Sequence, residues 1–258
     1  MTDGMVRDLA ALGPFFAVET HAPGSTPRAP WHVMSELVGA PEVLMDRVLA
    51  VRAALASAGG REPGAVELRV AASVAHLGLV ARLVSPALAV AVTSGVLLEV
   101  DFPSTRWQRV LGGAFPMSLP LDASSDIGDR DMKPELSSEH LAFLLASRVL
   151  EGPVRDLVEV TMPLSVSRHV LWGNVASAVN GAASMIATCQ PPCADRSLRI
   201  AALLLEQPPL RGTSAGSPGG GFRRRSCCLI YRAAPDAAGA VCGDCVLSRD
   251  VLSRDPHS

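Results

Sequence analysis

The stretch CCLIYRAAPDAAGAVCGDC, Cys227 to Cys245, constrains the fold more than any other part of the chain. It holds four of the six cysteines: an adjacent pair, Cys227 and Cys228, then thirteen residues, then Cys242-x-x-Cys245. Thiolates gathered this closely can hold a metal centre without ligands from elsewhere. Thiolate is a soft ligand and selects iron–sulfur clusters, zinc or Cu(I) over hard ions. Gly243 and Asp244 suit the tight turn that a C-x-x-C chelate needs.

Four-cysteine zinc sites are usually built from two short knuckles. An adjacent Cys-Cys pair makes a poor knuckle, because neighbouring side chains in extended chain point apart. This disfavours zinc without removing it. A [2Fe–2S] centre has two irons that each need outside ligands, so adjacent cysteines need not chelate one small ion.

With 258 residues, 48% apolar and 19% charged, the chain has the size of one ordinary domain and can bury a sizeable core. A net charge of -2 and 4% aromatics give no case for nucleic acid. The start, MTDGMVRDLAALGPFF, has no signal-peptide pattern. The most apolar region, Leu68 to Val100, is interrupted by Arg69, His76, Arg82 and Pro86, and its cleanest run, Pro86 to Leu98, is too short to span a membrane. The expectation is a cytoplasmic protein without a transmembrane segment, with peripheral membrane association left open. In that compartment clustered cysteines read as metal or redox sites rather than disulfides.

Periodicity predicts an α+β chain that is predominantly helical, with a small antiparallel sheet and a C-terminal cysteine-rich segment. Pro41 opens a helix with Leu44, Val48, Val51 and Leu55 on one stripe, Arg47 and Arg52 off it toward solvent, and Gly59-Gly60 at its end. A helix buried on two sides follows from Val66 to Leu83, stopped by Ser85-Pro86. Within it His76 reads as a hydrogen-bonded core or rim histidine. Arg82, if buried, needs an anion or carboxylate partner, which could be structural or could be substrate. Residues 90–100, 106–111 and 115–119 read as extended, with a hairpin at Gly112-Gly113. Asp122 to Glu135 reads as a solvated loop. Helices follow from Ser138 to Leu150, from Leu171 to Ala187 with Asn174 as a candidate N-cap, and from Asp195 to Leu205. Cys189 and Cys193 bracket two prolines and read as ordinary loop or helix-start cysteines. The chain divides into a mainly helical substrate-binding body, 1–210, a flexible linker, 211–222, and a metal-binding segment with a frayed tail, 223–258.

RRRSCCLIYR…CGDCVL, Arg223 to Leu247, resembles the C-terminal motif of the FhuF-like [2Fe–2S] ferric-siderophore reductases. ASVAHLGLVARLVSPAL, Ala72 to Leu88, and LWGNVASAVNGAA, Leu171 to Ala183, are similar to stretches of that family's actinobacterial form. The resemblance covers most of the chain from about Leu68. The cysteine spacing is longer than the family's usual one, and the excess lies in the turn-like AAPDAAGA, Ala233 to Ala240.

The resemblance implies a [2Fe–2S] cofactor held by Cys227, Cys228, Cys242 and Cys245, and a ferric siderophore as substrate. Arg223, Arg224 and Arg225 are candidates for tuning the cluster or steering an anionic chelate. Trp172 and Asn174 are weaker candidates for the substrate cleft. One electron would pass to chelated Fe(III), releasing Fe(II). No G-x-G-x-x-G motif is present, so a separate donor such as a ferredoxin or flavoprotein is implied. Two other readings stand beside this one: a siderophore-binding or scaffolding module with a structural zinc site, and a general [2Fe–2S] electron carrier.

Overall fold

The computed structural model describes residues 1–125, 136–216, 221–234 and 241–247. Apolar residues at helical spacing set the architecture. The helices are α1 (Asp3–Ala11), α2 (Glu36–Gly39), α3 (Pro41–Ala58), α4 (Leu68–Ser94), α5 (Ser138–Leu145), α6 (Arg155–Thr161), α7 (Arg168–Cys189) and α8 (Ala194–Leu205). The strands are short: β1 (Glu19–His21), β2 (His32–Val33), β3 (Leu97–Leu98), β4 (Arg106–Trp107), β5 (Met117–Pro120), β6 (Ser124–Ser125), β7 (Ser214–Gly216) and β8 (Phe222–Arg224). β2, β4 and β5 form an antiparallel sheet, to which β1 adds in parallel beside β5. Two further pairs, β3–β6 and β7–β8, are antiparallel. β7 lies inside the stretch expected to be a linker.

α4 is the centre of the molecule. It packs along α7 and α3, and also meets α1, α5, α6 and α8. The expected stop at Ser85-Pro86 does not occur; the helix continues to Ser94, where Gly95 turns left-handed at φ 65° and returns its N–H to Ala91 O. Proline inside a helix costs about 3 kcal/mol. Every residue from Arg82 to Val92 is buried, and that packing outweighs the lost hydrogen bond. By length and composition α4 could cross a membrane, but 78% of its most apolar window is buried inside the protein.

Arg47 corrects an expectation. It is not directed to solvent but is buried, donating to Val110 O at 3.2 Å and Gly112 O at 3.0 Å, with its guanidinium over the rings of Phe115 and Trp107. Arg82 is fully buried as well. It donates to the carbonyls of Phe115 (3.0 Å), Pro14 (3.3 Å), Phe15 (2.6 Å) and Ala17 (2.8 Å), and so fixes the chain before β1 and β5 against α4. Burial lowers both arginines to about 10, still charged at neutral pH. The helix expected from Ser138 is capped by the Ser137 hydroxyl, which accepts from His140 N–H, and is wound more loosely after Leu145 around Gly152-Pro153. Residues 126–135 of the acidic loop, 217–220 of the linker, 235–240 of the long cysteine spacing and the tail 248–258 lie outside the described residues.

Arg82→Met would leave four backbone carbonyls without their donor. We expect the free energy of unfolding to fall by about 3 kcal/mol, read from the midpoint of urea denaturation at unchanged slope.

Candidate metal centre

The cysteine segment is seated on α4 and α7 through buried polar groups. α7 does not begin at Asn174. The Ser167 hydroxyl caps it, accepting from Val170 N–H at 3.3 Å, which places Asn174 two turns inside and fully buried. Its amide donates to Ser73 O (3.0 Å) and Ser73 Oγ (3.2 Å) on α4, with His76 Nδ1 at 3.5 Å. Its Oδ1 accepts from Arg224 Nη2 at 2.5 Å. One side chain thus joins α4, α7 and β8. Burial pushes His76 down to about 3, helped by the Arg224 charge, so its ring is neutral.

Two further contacts fix the C-x-x-C turn. Arg224 N–H donates to Asp244 O at 3.0 Å, and the Ser177 hydroxyl donates to the Asp244 carboxylate. Gly173 sits one residue before Asn174 and faces the same segment. A Cβ there would collide with Ser226 Oγ and stand 3.3 Å from Arg224 Nη2. The adjacent cysteines are held from the other side. The 3₁₀ turn Ile230–Ala233 packs through Leu229 and Ala233 on Ala56, Val66 and Val70, and Arg61 donates to Ala233 O (3.2 Å) and Ala234 O (3.1 Å).

All six cysteines are free thiols. Cys189 ends α7, exposed, and Cys193 precedes α8; both are away from the other four in the chain. Cys228 and Cys245 are buried, Cys227 and Cys242 half-buried. Leu229 adopts a left-handed backbone, φ 71°, and turns its N–H onto Cys227 Sγ at 3.3 Å; Leu247 N–H does the same for Cys245 Sγ at 3.3 Å. Cys245 N–H closes the turn on Cys242 O at 3.0 Å. The Cys228 and Cys242 sulfurs are 3.6 Å apart. Two sulfurs on one tetrahedral metal at about 2.3 Å stand about 3.8 Å apart, so this pair already has chelating separation.

The thiols share their protons unequally. Hydrogen bonds from Cys227 and then Cys242 hold Cys228 well below the usual thiol range, with the Arg224 charge acting in the same direction. Cys227 and Cys242 are pushed up, first by their bond to Cys228 and then by burial. Among the described residues no three His, Cys, Asp or Glu side chains close on a single point, as they would around one bound ion. Three buried groups of the seat, Arg224 (Nε and Nη1), Ser226 Oγ and His76 Nε2, have no hydrogen-bond partner among the described residues. A cationic donor buried next to thiolates fits an anionic iron–sulfur centre.

The other residues singled out in the sequence divide clearly. Arg224 is buried at the centre, Arg223 is half-buried, and Arg225 is exposed, with its N–H on Thr213 O at 2.8 Å. Trp172 turns away toward α6, where Arg155 lies 5.9 Å from its ring centroid. The sequence marked Asp244 as a turn residue only, and it did not single out Ser73, Gly173 or Ser177, which lie on α4 and α7, as parts of the seat. Their signal was a few small or polar residues on one face of helices that are otherwise apolar.

Residues 224–247 match the family model described as the FhuF 2Fe-2S C-terminal domain. The match opens on the buried arginine and takes in all four clustered cysteines. No curated protein matches the chain. The cofactor of this segment is a [2Fe–2S] cluster.

Gly173→Val needs the space of the Ser226 side chain and of Arg224 Nη2, and should cut iron and sulfide incorporation at least several-fold. Gly181→Val, on the same helix with nothing within 4 Å of its Cβ position, carries the same propensity cost and should retain both. Iron and acid-labile sulfide analysis of the two purified variants decides.

Proposed function

From a chain consistent with the FhuF-like family, whose C-terminal segment is that family's 2Fe-2S domain, we propose a ferric-siderophore reductase. Cys227, Cys228, Cys242 and Cys245 would hold the cofactor. When bound, the [2Fe–2S] cluster supplies a one-electron couple. One electron enters from a separate donor protein, a ferredoxin or flavoprotein, and one leaves to Fe(III) in the chelate. Siderophore oxygens are hard donors that hold Fe(III) far better than Fe(II), so the reduced ion is released.

The observation that carries this reading is where the cysteine segment sits. Ser177, whose hydroxyl holds Asp244, also lines an apolar trough of about 230 Å³ between α4 and α7, with Phe15, Leu77, Ala81, Gly181 and Met185. Phe15, Leu77 and Ala81 are shared with a second apolar cavity of about 400 Å³ toward α3. A bulky chelate resting in this trough would lie beside the C-x-x-C turn, on which Cys242 keeps part of its surface exposed. Outer-sphere transfer needs only proximity and an open edge, and no nucleophile or acid–base pair. A larger cavity of about 550 Å³, lined by His21, Asp101, Arg106 and Asp122, includes no residue of the cysteine segment and has no part in this reading. We place the protein in the cytoplasm, with residues 1–210 as the substrate-binding body and 223–258 as the redox segment joined to it through 211–222.

Electron paramagnetic resonance of anaerobically purified protein tests the centre: silent when oxidised, spin-half after dithionite. Zinc in place of iron, with no signal in either state, would sink the reductase. The reduced protein should then be reoxidised by ferric siderophores in stopped flow. Equal rates with any one-electron acceptor would make it a general carrier. Gly181→Trp, which fills the trough, should raise the chelate concentration for half-maximal rate about tenfold and leave the resonance spectrum unchanged.

A further inference from the structure

Three arginines in succession, Arg223 to Arg225, differ completely in setting. The alternation of an extended strand turns the middle one inward, where it is 1% exposed. Its Nη2 is used by Asn174 Oδ1 at 2.5 Å, with Val170 O at 3.5 Å. Its Nε and Nη1 have no partner among the described residues, and no carboxylate there forms an ion pair with it. A cation taken out of water and left without a counter-charge is strongly unfavourable. Arg82, equally buried, has each of its three nitrogens on a carbonyl. Arg224 does not, and its open nitrogens belong to the segment that carries the four cysteines.

We propose that Arg224 is the buried counter-cation of the [2Fe–2S] cluster, positioned by Asn174, and that its charge raises the reduction potential of the centre. An all-cysteinate cluster carries roughly two negative charges when oxidised and one more when reduced. A fixed positive charge that is itself buried away from water favours the more negative state, and the low local dielectric around it strengthens its effect. Arg223 and Arg225, being in contact with solvent, are screened and contribute little. Asn174 acts through Arg224: its carbonyl oxygen receives the guanidinium while its amide is anchored on Ser73, so the charge cannot swing to the surface. The inference rests on the cluster and its cysteine ligands and does not require the ferric chelate to be the substrate.

The test is a redox titration of the purified holoprotein, with no chelate present, followed by visible absorption and spin-half signal. Iron and sulfide content are measured alongside. Two variants remove the charge by different routes. Arg224→Gln deletes it and keeps an amide facing Asn174. Asn174→Asp leaves the guanidinium in place and pairs it with a carboxylate of the same shape. Both should shift the equilibrium with a fixed mediator at least tenfold toward the oxidised protein, 59 mV for a one-electron couple. Arg224→Lys, which keeps the charge, should shift it by less than half as much, and Arg223→Gln and Arg225→Gln less still. An unchanged potential in Arg224→Gln or Asn174→Asp would overturn the proposal. So would a fall in Arg224→Lys as large as in Arg224→Gln, because Arg224 would then act by shape alone. Should one neutralising variant take up no iron, the other decides. Failure of the unsubstituted protein to reduce any ferric chelate, with these shifts still observed, would count against the reductase reading and not against this one.

Discussion

A single asparagine amide between a helix and an arginine is what the seat of the redox segment depends on. Asn174 has a donor end and an acceptor end, and both are used in the interior: the donor on Ser73 of α4, the acceptor on Arg224 of β8. No hydroxyl spans that distance, and no hydrocarbon could receive a guanidinium. Taking an arginine out of water costs several kcal/mol unless its hydrogen bonds are remade. Arg224 therefore enters the interior only where Asn174 waits for it. Once there, its backbone N–H fixes Asp244, and the Asp244 carboxylate receives Ser177. The two cysteine-bearing arms are aligned by a chain of contacts that begins at this one amide.

The helical body is shaped to permit the approach. Gly173 has no side chain at the point where Ser226 comes closest, and the alanines of α4 and α7 let those helices pack tightly beneath it. Two other buried arginines show what a structural arginine looks like in this molecule. Arg82 and Arg47 each bind backbone carbonyls from loops that would otherwise bring unpaired acceptors into the core. Arg224 shares their residue type and burial, yet two of its three nitrogens are unanswered among the described residues. Arg82 leaves no nitrogen without a partner, Arg47 leaves only Nε, and Arg224 leaves two.

Much of this was legible in the residues. The cysteine spacing pointed to a thiolate-bound metal centre, and Pro41 and Gly59-Gly60 marked helix ends where the structure has them. What could not be read locally was decided by packing. Pro86 is a strong local stop signal, and it is overruled because the residues around it are buried on all sides, a fact that exists only after α7 and α3 are in place. Arg47 lies off the apolar stripe of α3, but the aromatic pair Trp107 and Phe115 comes from a distant hairpin and gives it an interior setting. Asn174 resembles a cap by residue type; the hydroxyl of Ser167 caps first, and the helix carries Asn174 into the core. Nothing in Arg-Arg-Arg distinguishes the middle member until strand alternation and the partner helix do.

The long spacing between the cysteine pairs is best understood from how its two ends are held. The first end, Leu229 to Ala234, is fixed by the small apolar cluster on α3 and α4 and by Arg61. The second, the turn from Cys242 to Cys245, is fixed by its own backbone bond and by Ser177 and Arg224. The two anchors use different helices and share no side chain. Lengthening a chain between two fixed anchors costs closure entropy that grows only logarithmically, about 0.6 kcal/mol per doubling. The two anchors set where each cysteine pair enters the seat, and chain length between them enters only through that slowly growing cost.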